Sequence, residues 1–178
     1  MVSQVLFIQG GGEGAYEIDG KLADSLQDAL GADYHVSYPK MPNEDDPEYE
    51  AWKPQISKEH AALGPRTILV GHSVGASVLL RYLAEEKADK NIPAVFLIAA
   101  PFWGAENWHA SQLPIGLPIF FYHNHDDEEI PFAHLAMYAE KLPQATIREF
   151  DAGGHQFNND LSKVAADIAN LQNRALTH

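Results

Sequence analysis

Residues 71–75 read Gly-His-Ser-Val-Gly, a G-x-S-x-G pattern in which Ser73 could act as a nucleophile. The pattern follows the apolar run 67–70 and precedes the regularly spaced apolar residues of a predicted helix. A strand-to-helix turn of this kind raises the serine hydroxyl above a sheet, and the helix N-terminus favours developing negative charge. The alternative is an ordinary turn in which Ser73 only caps the helix.

The acid that would orient a catalytic base is expected in residues 123–131, an acidic loop after the fifth predicted strand. Asp126 and Asp127 compete for this role, since both stand in that loop. The alternative is a solvated loop whose carboxylates, above all Glu128 and Glu129, cap the following helix. The residues alone leave the choice of the acid open.

The same loop offers a second alternative, a metal site. His123 and His125 would share one face of a strand end, and nearby carboxylates could complete a set of ligands for a divalent ion. No distant third ligand is evident, and the chain has no cysteine. We therefore expect neither a metal nor an organic cofactor.

A base is expected at His155, which follows Gly153 and Gly154 just after the last predicted strand. There it could take the serine proton and return it to a leaving group. The chain has nine histidines, and His109, in a loop near the expected site, is the strongest competitor. His72 lies within the serine turn, where its ring should point away from the hydroxyl. The order serine, acid, histidine along the chain favours His155.

The glycine run at residues 10–12 follows the first predicted strand. An acyl-transfer site needs two backbone N–H groups to hold the oxygen of a tetrahedral intermediate. Val74, directly after the serine, could supply one, and Gly11, or less favourably Gly12, the other. A dinucleotide-binding turn is the weaker alternative, because Ala15 stands at the last position of that motif without a clear helix after it.

The elements that must position these residues alternate between strand and helix. Strands are predicted at 5–9, 34–38, 67–70, 94–99, 119–122 and 146–150. Helices are predicted up to Gly31, over 49–63, over 73–86, from Pro131 and from Leu161, with Pro54 bending the second or marking its true start. This alternation predicts one α/β domain, residues 1–178, with a mainly parallel sheet between two layers of helices. Ligands of such sheets bind beyond the carboxyl ends of the strands, where the candidate residues lie.

The composition restricts the partners. Twenty-five acidic and 12 basic residues give a net charge of -13, which argues against nucleic acid and anionic membranes. We expect no signal peptide before the first predicted strand, and no apolar run approaches the ~20 residues that cross a bilayer. We expect a cytoplasmic protein that acts on a small molecule.

The whole chain resembles the small single-domain α/β-hydrolases grouped as retinoblastoma-binding-protein-like and YdeN-like serine hydrolases. The shared features are the serine motif, the Asp-Asp pair before Ile130-Pro131, the Gly154-His155 pair, and a Met-Pro segment at 41–43 followed by Pro47 and a helix with Trp52. The resemblance implies a minimal α/β-hydrolase fold without a large cap and serine hydrolase chemistry. It also implies Asp127 as the acid, because Asp127 begins an Asp-x-x-Ile-Pro pattern. A departure is Gln9-Gly10, where such members often carry Pro-Gly or His-Gly.

These features together predict a serine hydrolase that cleaves a small ester, thioester or activated amide through an acyl-enzyme on Ser73. A carboxylesterase is favoured over a peptidase. Residues 100–118 are too few for a large cap, and Phe102, Trp103 and Trp108 could line the acyl pocket or pack the domain. The alternative function is a hydrolase scaffold with little or no turnover that binds a protein partner.

Overall fold

The computed structural model describes residues 1–86 and 91–175. Six strands form one parallel sheet in the order β2-β1-β3-β4-β5-β6. The strands are β1 (Ser3–Ile8), β2 (Tyr34–Ser37), β3 (Ile68–His72), β4 (Val95–Ile98), β5 (Ile119–Asn124) and β6 (Thr146–Phe150). The helices are α1 (Ala15–Leu30), α2 (Tyr49–Leu63), α3 (Val74–Glu85), α4 (Ala133–Lys141) and α5 (Ser162–Ala175). The predicted α/β-hydrolase fold, with a mainly parallel sheet, is confirmed.

The two faces of the sheet pack against different helices. Val5 and Phe7 of β1 point into a core with α1 and α5, whereas Leu6 and Ile8 point into a core with α2, α3 and α4. All four side chains are fully buried. A parallel strand buried on both faces is therefore a continuous apolar run, which is how β1 reads in the sequence.

Two details of the sequence analysis need correction. Pro54 does not mark the start of α2, which begins at Tyr49. Proline removes only its own N–H bond to the carbonyl of Glu50, and Trp52 holds the first turn by donating from Nε1 to the Pro42 carbonyl at 2.8 Å. A clear helix does follow the glycine run, because α1 begins at Ala15.

The connection between β4 and β5 carries no cap. Residues 99–118 contain only two short 3-10 turns, Ala105–Asn107 and Ala110–Gln112. The carboxyl ends of the strands are therefore not roofed by a separate helical layer. None of the helices in the described ranges is long and apolar enough to cross a bilayer.

Candidate active site

Ser73 occupies a strained turn between β3 and α3. Its φ of 56° and ψ of -125° lie in a region that non-glycine residues rarely adopt, at a cost of about 1–3 kcal/mol. The Ser73 N–H donates to the Ile98 carbonyl at 2.8 Å, which ties the turn to β4. Strain that the surrounding strands hold in place is typical of functional positions.

The structure brings Asp127 and His155 into direct contact. His155 Nδ1 lies 2.9 Å from Oδ2 and 3.1 Å from Oδ1 of Asp127. The Asp127 side chain is 0% exposed and that of His155 is 5% exposed, so water does not compete for this hydrogen bond. A buried carboxylate on Nδ1 fixes the ring and leaves Nε2 to face the reacting groups.

Several donors keep Asp127 ionised. Burial alone would raise the pKa of Asp127, but hydrogen bonds from His123, His155 and the N–H groups of Ile130 and Glu129 hold that pKa well below its usual range. His123 Nε2 also lies 3.0 Å from the Ile130 carbonyl. His123 therefore supports the acid and the turn that follows it.

The metal alternative gains no support from this loop. His125, the other half of the His-x-His pair, stacks on Phe132 with 3.8 Å between ring centroids. Within residues 1–86 and 91–175, no three His, Asp or Glu side chains are grouped to hold a metal ion.

The other acidic residues of the loop position the His155 turn. The Asp126 carboxylate accepts from the Gly154 N–H at 2.8 Å, and that of Glu128 from the His155 N–H at 3.0 Å. The structure does not support the helix-capping role considered for Glu128 and Glu129, because no side chain of the described residues caps the start of α4 by a hydrogen bond and both carboxylates contact His155. Each of the four consecutive acidic residues, 126–129, thus contacts the loop that carries His155.

Glu129 reaches the reactive side of the histidine ring. Its Oε2 lies 3.2 Å from His155 Nε2, and its side chain is 64% exposed. The Ser73 hydroxyl, in contrast, makes no hydrogen bond to any residue that the structure describes. Hydrogen bonds between a catalytic serine and histidine are often loose without substrate and tighten only in the complex.

Some backbone N–H groups near Ser73 are used in internal hydrogen bonds, and others are free in the part of the chain that the structure describes. Gly10 N–H donates to Asp19 at 2.7 Å, and Gly12 N–H to the Glu44 carbonyl at 2.6 Å. The N–H groups of Gly11 and Val74 have no acceptor among the described residues. The two predicted oxyanion donors are thus the ones left unoccupied.

Gln9 and Glu44 brace this loop, a role that the sequence analysis missed. The Glu44 carboxylate accepts from the N–H groups of Gly14 and Tyr16 and from Gln9 Nε2, at 3.2, 2.9 and 3.0 Å. Gln9 Oε1 in turn accepts from Met41 N–H at 2.7 Å. In the sequence, the available signal was a polar residue directly after the apolar run of the first strand. The structure shows that this residue, Gln9, is fully buried.

This arrangement also decides against a dinucleotide site. In such sites a phosphate binds the free N–H groups at the N-terminus of the first helix. Here the Glu44 carboxylate takes the N–H groups of Gly14 and Tyr16, and these hydrogen bonds lower the pKa of Glu44. An internal carboxylate occupies the position that a phosphate would need.

A second missed pair, Asp19 and His72, lies beneath the site. His72 Nδ1 is 2.8 Å from Asp19 Oδ2, and both side chains are buried. His72 Nε2 lies 2.9 Å from the His155 carbonyl, so both ring nitrogens are directed at groups other than the Ser73 hydroxyl. The available signal was a carboxylate on the apolar stripe of α1, between the buried residues Ala15 and Leu22.

Two clefts border the serine turn, one beside Ser73 and the other beside Val74. One, of about 270 Å³, is lined by Ser73, His155, Glu129 and the glycine run. The other, of about 210 Å³, is lined by Val74, Pro47, Trp103 and the first turns of α3. Ser73 and His155 therefore line the first cleft, and Val74, the residue after the serine, lines the second.

The candidate pocket aromatics and the competing histidine have different positions. Trp103 borders the smaller cleft and is 62% exposed. Phe102 packs edge-on against Tyr138 at 4.9 Å between centroids. Trp108 is 2% exposed and lies in the core with Lys141 over its ring, which corrects its assignment as a pocket residue. His109 is exposed at the start of a 3-10 turn and borders neither cleft.

Comparisons with known proteins agree with this geometry. A family model described as serine hydrolase matches residues 22–161, and the chain therefore belongs to the serine hydrolase family. The solved structure of the YdeN gene product from B. subtilis matches with a TM-score of 0.76, at 20% identity over 97% of this chain and 100% of that one. A YdeN-like hydrolase from Pectobacterium atrosepticum matches with 0.68, at 15% identity over 95% and 90%. The chain is thus a small serine hydrolase whose α/β fold is similar to the folds of YdeN and a YdeN-like hydrolase.

A similar fold occurs in a ligand-bound structure of low sequence identity. Est1E from Butyrivibrio proteoclasticus, solved with ferulic acid bound, matches with a TM-score of 0.71, at 12% identity over 99% of this chain and 91% of that one. No curated protein sequence matches the chain.

Proposed function

We propose that the protein hydrolyses a small ester, thioester or activated amide through an acyl-enzyme on Ser73. The observation that carries the proposal is that His155, held by the buried carboxylate of Asp127, lines the same cleft as the strained Ser73. Carboxylic esters are the preferred class, because esterases are among the proteins that share the fold. We further propose that the substrate is a small cytoplasmic molecule and not a nucleic acid or a membrane.

In the proposed reaction, the Ser73 oxygen attacks the substrate carbonyl carbon while its proton passes to His155 Nε2. Asp127 stabilises the imidazolium that forms, and the N–H groups of Gly11 and Val74 hold the oxyanion. The intermediate collapses, the C–O, C–S or C–N bond breaks, and the leaving group takes the proton from Nε2. Water then repeats the sequence and releases the acid and free Ser73. These steps need no cofactor.

The two clefts suggest where the two parts of the substrate bind. The acyl group would occupy the space beside Val74 and Trp103, and the leaving group the space beside His155 and Glu129. Their volumes of about 210 and 270 Å³ are each below the ~300–1,000 Å³ of pockets that enclose drug-sized ligands. Short acyl chains and small leaving groups are therefore favoured.

The first test is labelling with an uncharged fluorophosphonate probe, followed by peptide mapping. We expect the probe on Ser73 in the wild-type protein, no label in Ser73→Ala, and little in His155→Ala, because the serine is activated only when a base accepts its proton. Thermal melts of all three proteins check folding. A folded wild-type protein without label would contradict the proposal and favour a binding scaffold.

We predict that Glu129→Gln increases the rate at which the probe labels Ser73. The Glu129–Nε2 contact needs a proton on Nε2, whereas the base that activates Ser73 needs a free lone pair there. Glu129 is largely exposed, and an exposed ion pair is worth about 0.2–1 kcal/mol, so the gain should be about 1.4- to fivefold.

Glu13→Gln is the matched control for Glu129→Gln. Glu13 lines the same cleft, so its loss removes the same charge without changing a contact to His155. We expect little change in the labelling rate. Slower labelling of Glu129→Gln would contradict the prediction and mean that this carboxylate stabilises the imidazolium during the reaction.

A further inference from the structure

Asp19 of α1 and His72 of β3 form an ion pair that the proposed chemistry does not use. Their relative exposures are both 2%, and Asp19 Oδ2 lies 2.8 Å from His72 Nδ1. Removing two charges from water is costly, and buried ion pairs often add little net stability. The function of this pair should therefore be sought in what it contacts.

Both ring nitrogens of His72 face an acceptor. Nδ1 faces the Asp19 carboxylate, and Nε2 lies 2.9 Å from the backbone carbonyl of His155. A neutral imidazole carries only one N–H, so two donated hydrogen bonds require the imidazolium. Burial would lower the pKa of His72, but Asp19, the His155 carbonyl and the charge of Asp127 raise it overall. The ring of His155, which is also titratable, packs against the His72 ring with 4.7 Å between the two ring centroids.

The Asp19 carboxylate binds two loops besides His72. Oδ2 accepts from the Gly10 N–H at 2.7 Å, directly before the proposed oxyanion donor Gly11. Oδ1 accepts from Gln156 Nε2 at 2.9 Å, directly after the proposed base. Burial would raise the pKa of Asp19, but His72, Gln156 and Gly10 lower it overall. One buried carboxylate thus connects three segments of the site.

We propose that Asp19 and His72 are positioning residues, a fixed carboxylate–imidazolium pair that sets the His155 backbone and the Gly10–Gly11 loop relative to Ser73. The pair acts through its neighbours and need not touch the substrate. The contacts are short: a Cβ at Gly10 would lie 3.2 Å from Asp19 Oδ2 and 3.3 Å from Ser73 Cβ. The kinetic consequence of this pair rests on the proposed function, whereas its charge state does not.

The charge state is tested by two-bond ¹H–¹⁵N NMR of protein labelled in its histidines. At pH 7.5, about one unit above the ordinary histidine pKa, His72 should give the imidazolium pattern, with both nitrogens protonated. The signal is assigned by its loss in His72→Gln, and Asp19→Asn should convert it to a neutral tautomer. A neutral His72 in the wild-type protein would overturn the proposal. No turnover is needed, so this result is independent of the proposed function.

The positioning role is tested by the rate at which the fluorophosphonate labels Ser73. A displacement of about 1 Å can cost ~100-fold in rate, and we expect Asp19→Asn and His72→Gln each to label about 10- to 100-fold more slowly. The double variant should be no slower than the slower single one, because the two residues act as one unit. Additive losses, or labelling at the wild-type rate, would overturn the proposal.

Asp167→Asn is the matched control. Asp167 of α5 accepts from the Tyr122 hydroxyl at 2.6 Å and pairs with Arg148, and it lines neither active-site cleft. This variant should label at the wild-type rate. If Asp19→Asn does not fold, His72→Gln and the NMR measurement on the wild-type protein still decide the proposal.

Discussion

Asp127→Asn is expected to lower kcat by about four orders of magnitude on any substrate that the wild-type protein hydrolyses. The Asp127 carboxylate, 2.9 Å from His155 Nδ1, requires the proton on Nδ1 and so leaves the lone pair of Nε2 free for the serine. An amide can present its own N–H to Nδ1, which favours the wrong tautomer. The Asp127 side chain is fully buried, so water cannot replace the missing acceptor.

The variant should nevertheless fold. The Asp127 oxygen that accepts from the N–H groups of Glu129 and Ile130 can be retained as the amide oxygen of asparagine. The measurement is kcat on the best ester found, with a thermal melt to show that the protein is native. A retained kcat would contradict the assignment of Asp127 as the acid.

Asp126→Asn is the control, because the sequence alone left the choice between these neighbours open. Among the residues that the structure describes, the Asp126 carboxylate accepts from the N–H groups of Gly153 and Gly154 alone, and an amide oxygen can do the same. We expect its kcat to fall about tenfold or less, as for an indirect displacement of the histidine loop. If kcat fell further in Asp126→Asn than in Asp127→Asn, Asp126 would be the catalytic acid and Asp127 the supporting residue.

The fold and the order of the reacting residues could be predicted because both depend on local signals. Apolar runs mark the strands, and parallel topology places every strand end at one edge of the sheet. Ser73, residues 123–131 and His155 each follow such a run, so their convergence needed no knowledge of side-chain geometry.

The supporting contacts could not be predicted in the same way. Asp19 and His72 are 53 positions apart, and neither residue type announces a partner at that separation. Trp108 read as a pocket residue because it stands in a loop, yet the carbonyls of Ala105 and Trp108 bind Lys141 Nζ at 2.7 and 2.8 Å, and the loop folds into the core. Such outcomes depend on packing between distant segments, which composition and spacing do not encode locally.

Gly75→Ala is expected to destabilise the protein by about 3 kcal/mol or more, the upper range for overpacking. A Cβ at Gly75 would lie 2.2 Å from the Gln9 carbonyl oxygen and 2.6 Å from that of Ile8. Both contacts are with backbone, which no side-chain rotation can relieve. For a chain of this size the melting temperature should fall by about 6–12 °C.

Gly20→Ala is the matched control with the opposite sign. Gly20 lies inside α1, and a Cβ there would meet only Tyr38 Cε1 at 3.7 Å, an ordinary contact. This change should stabilise the protein by about 0.4–1 kcal/mol through the unfolded chain. If the two alanine variants melted alike, β1 and α3 would not be in the close contact that the structure shows.

The activity of Gly75→Ala separates two ways in which the clash could be relieved. If β1 and α3 move apart, Gln9 moves with its strand end, and the Gly10–Gly11 loop moves away from Ser73. Losing one oxyanion donor costs about 100- to 1,000-fold in kcat, so the folded variant should label Ser73 far more slowly at 10 °C, below its melting transition. Labelling at the wild-type rate in a destabilised protein would mean that the strain is absorbed away from the glycine loop.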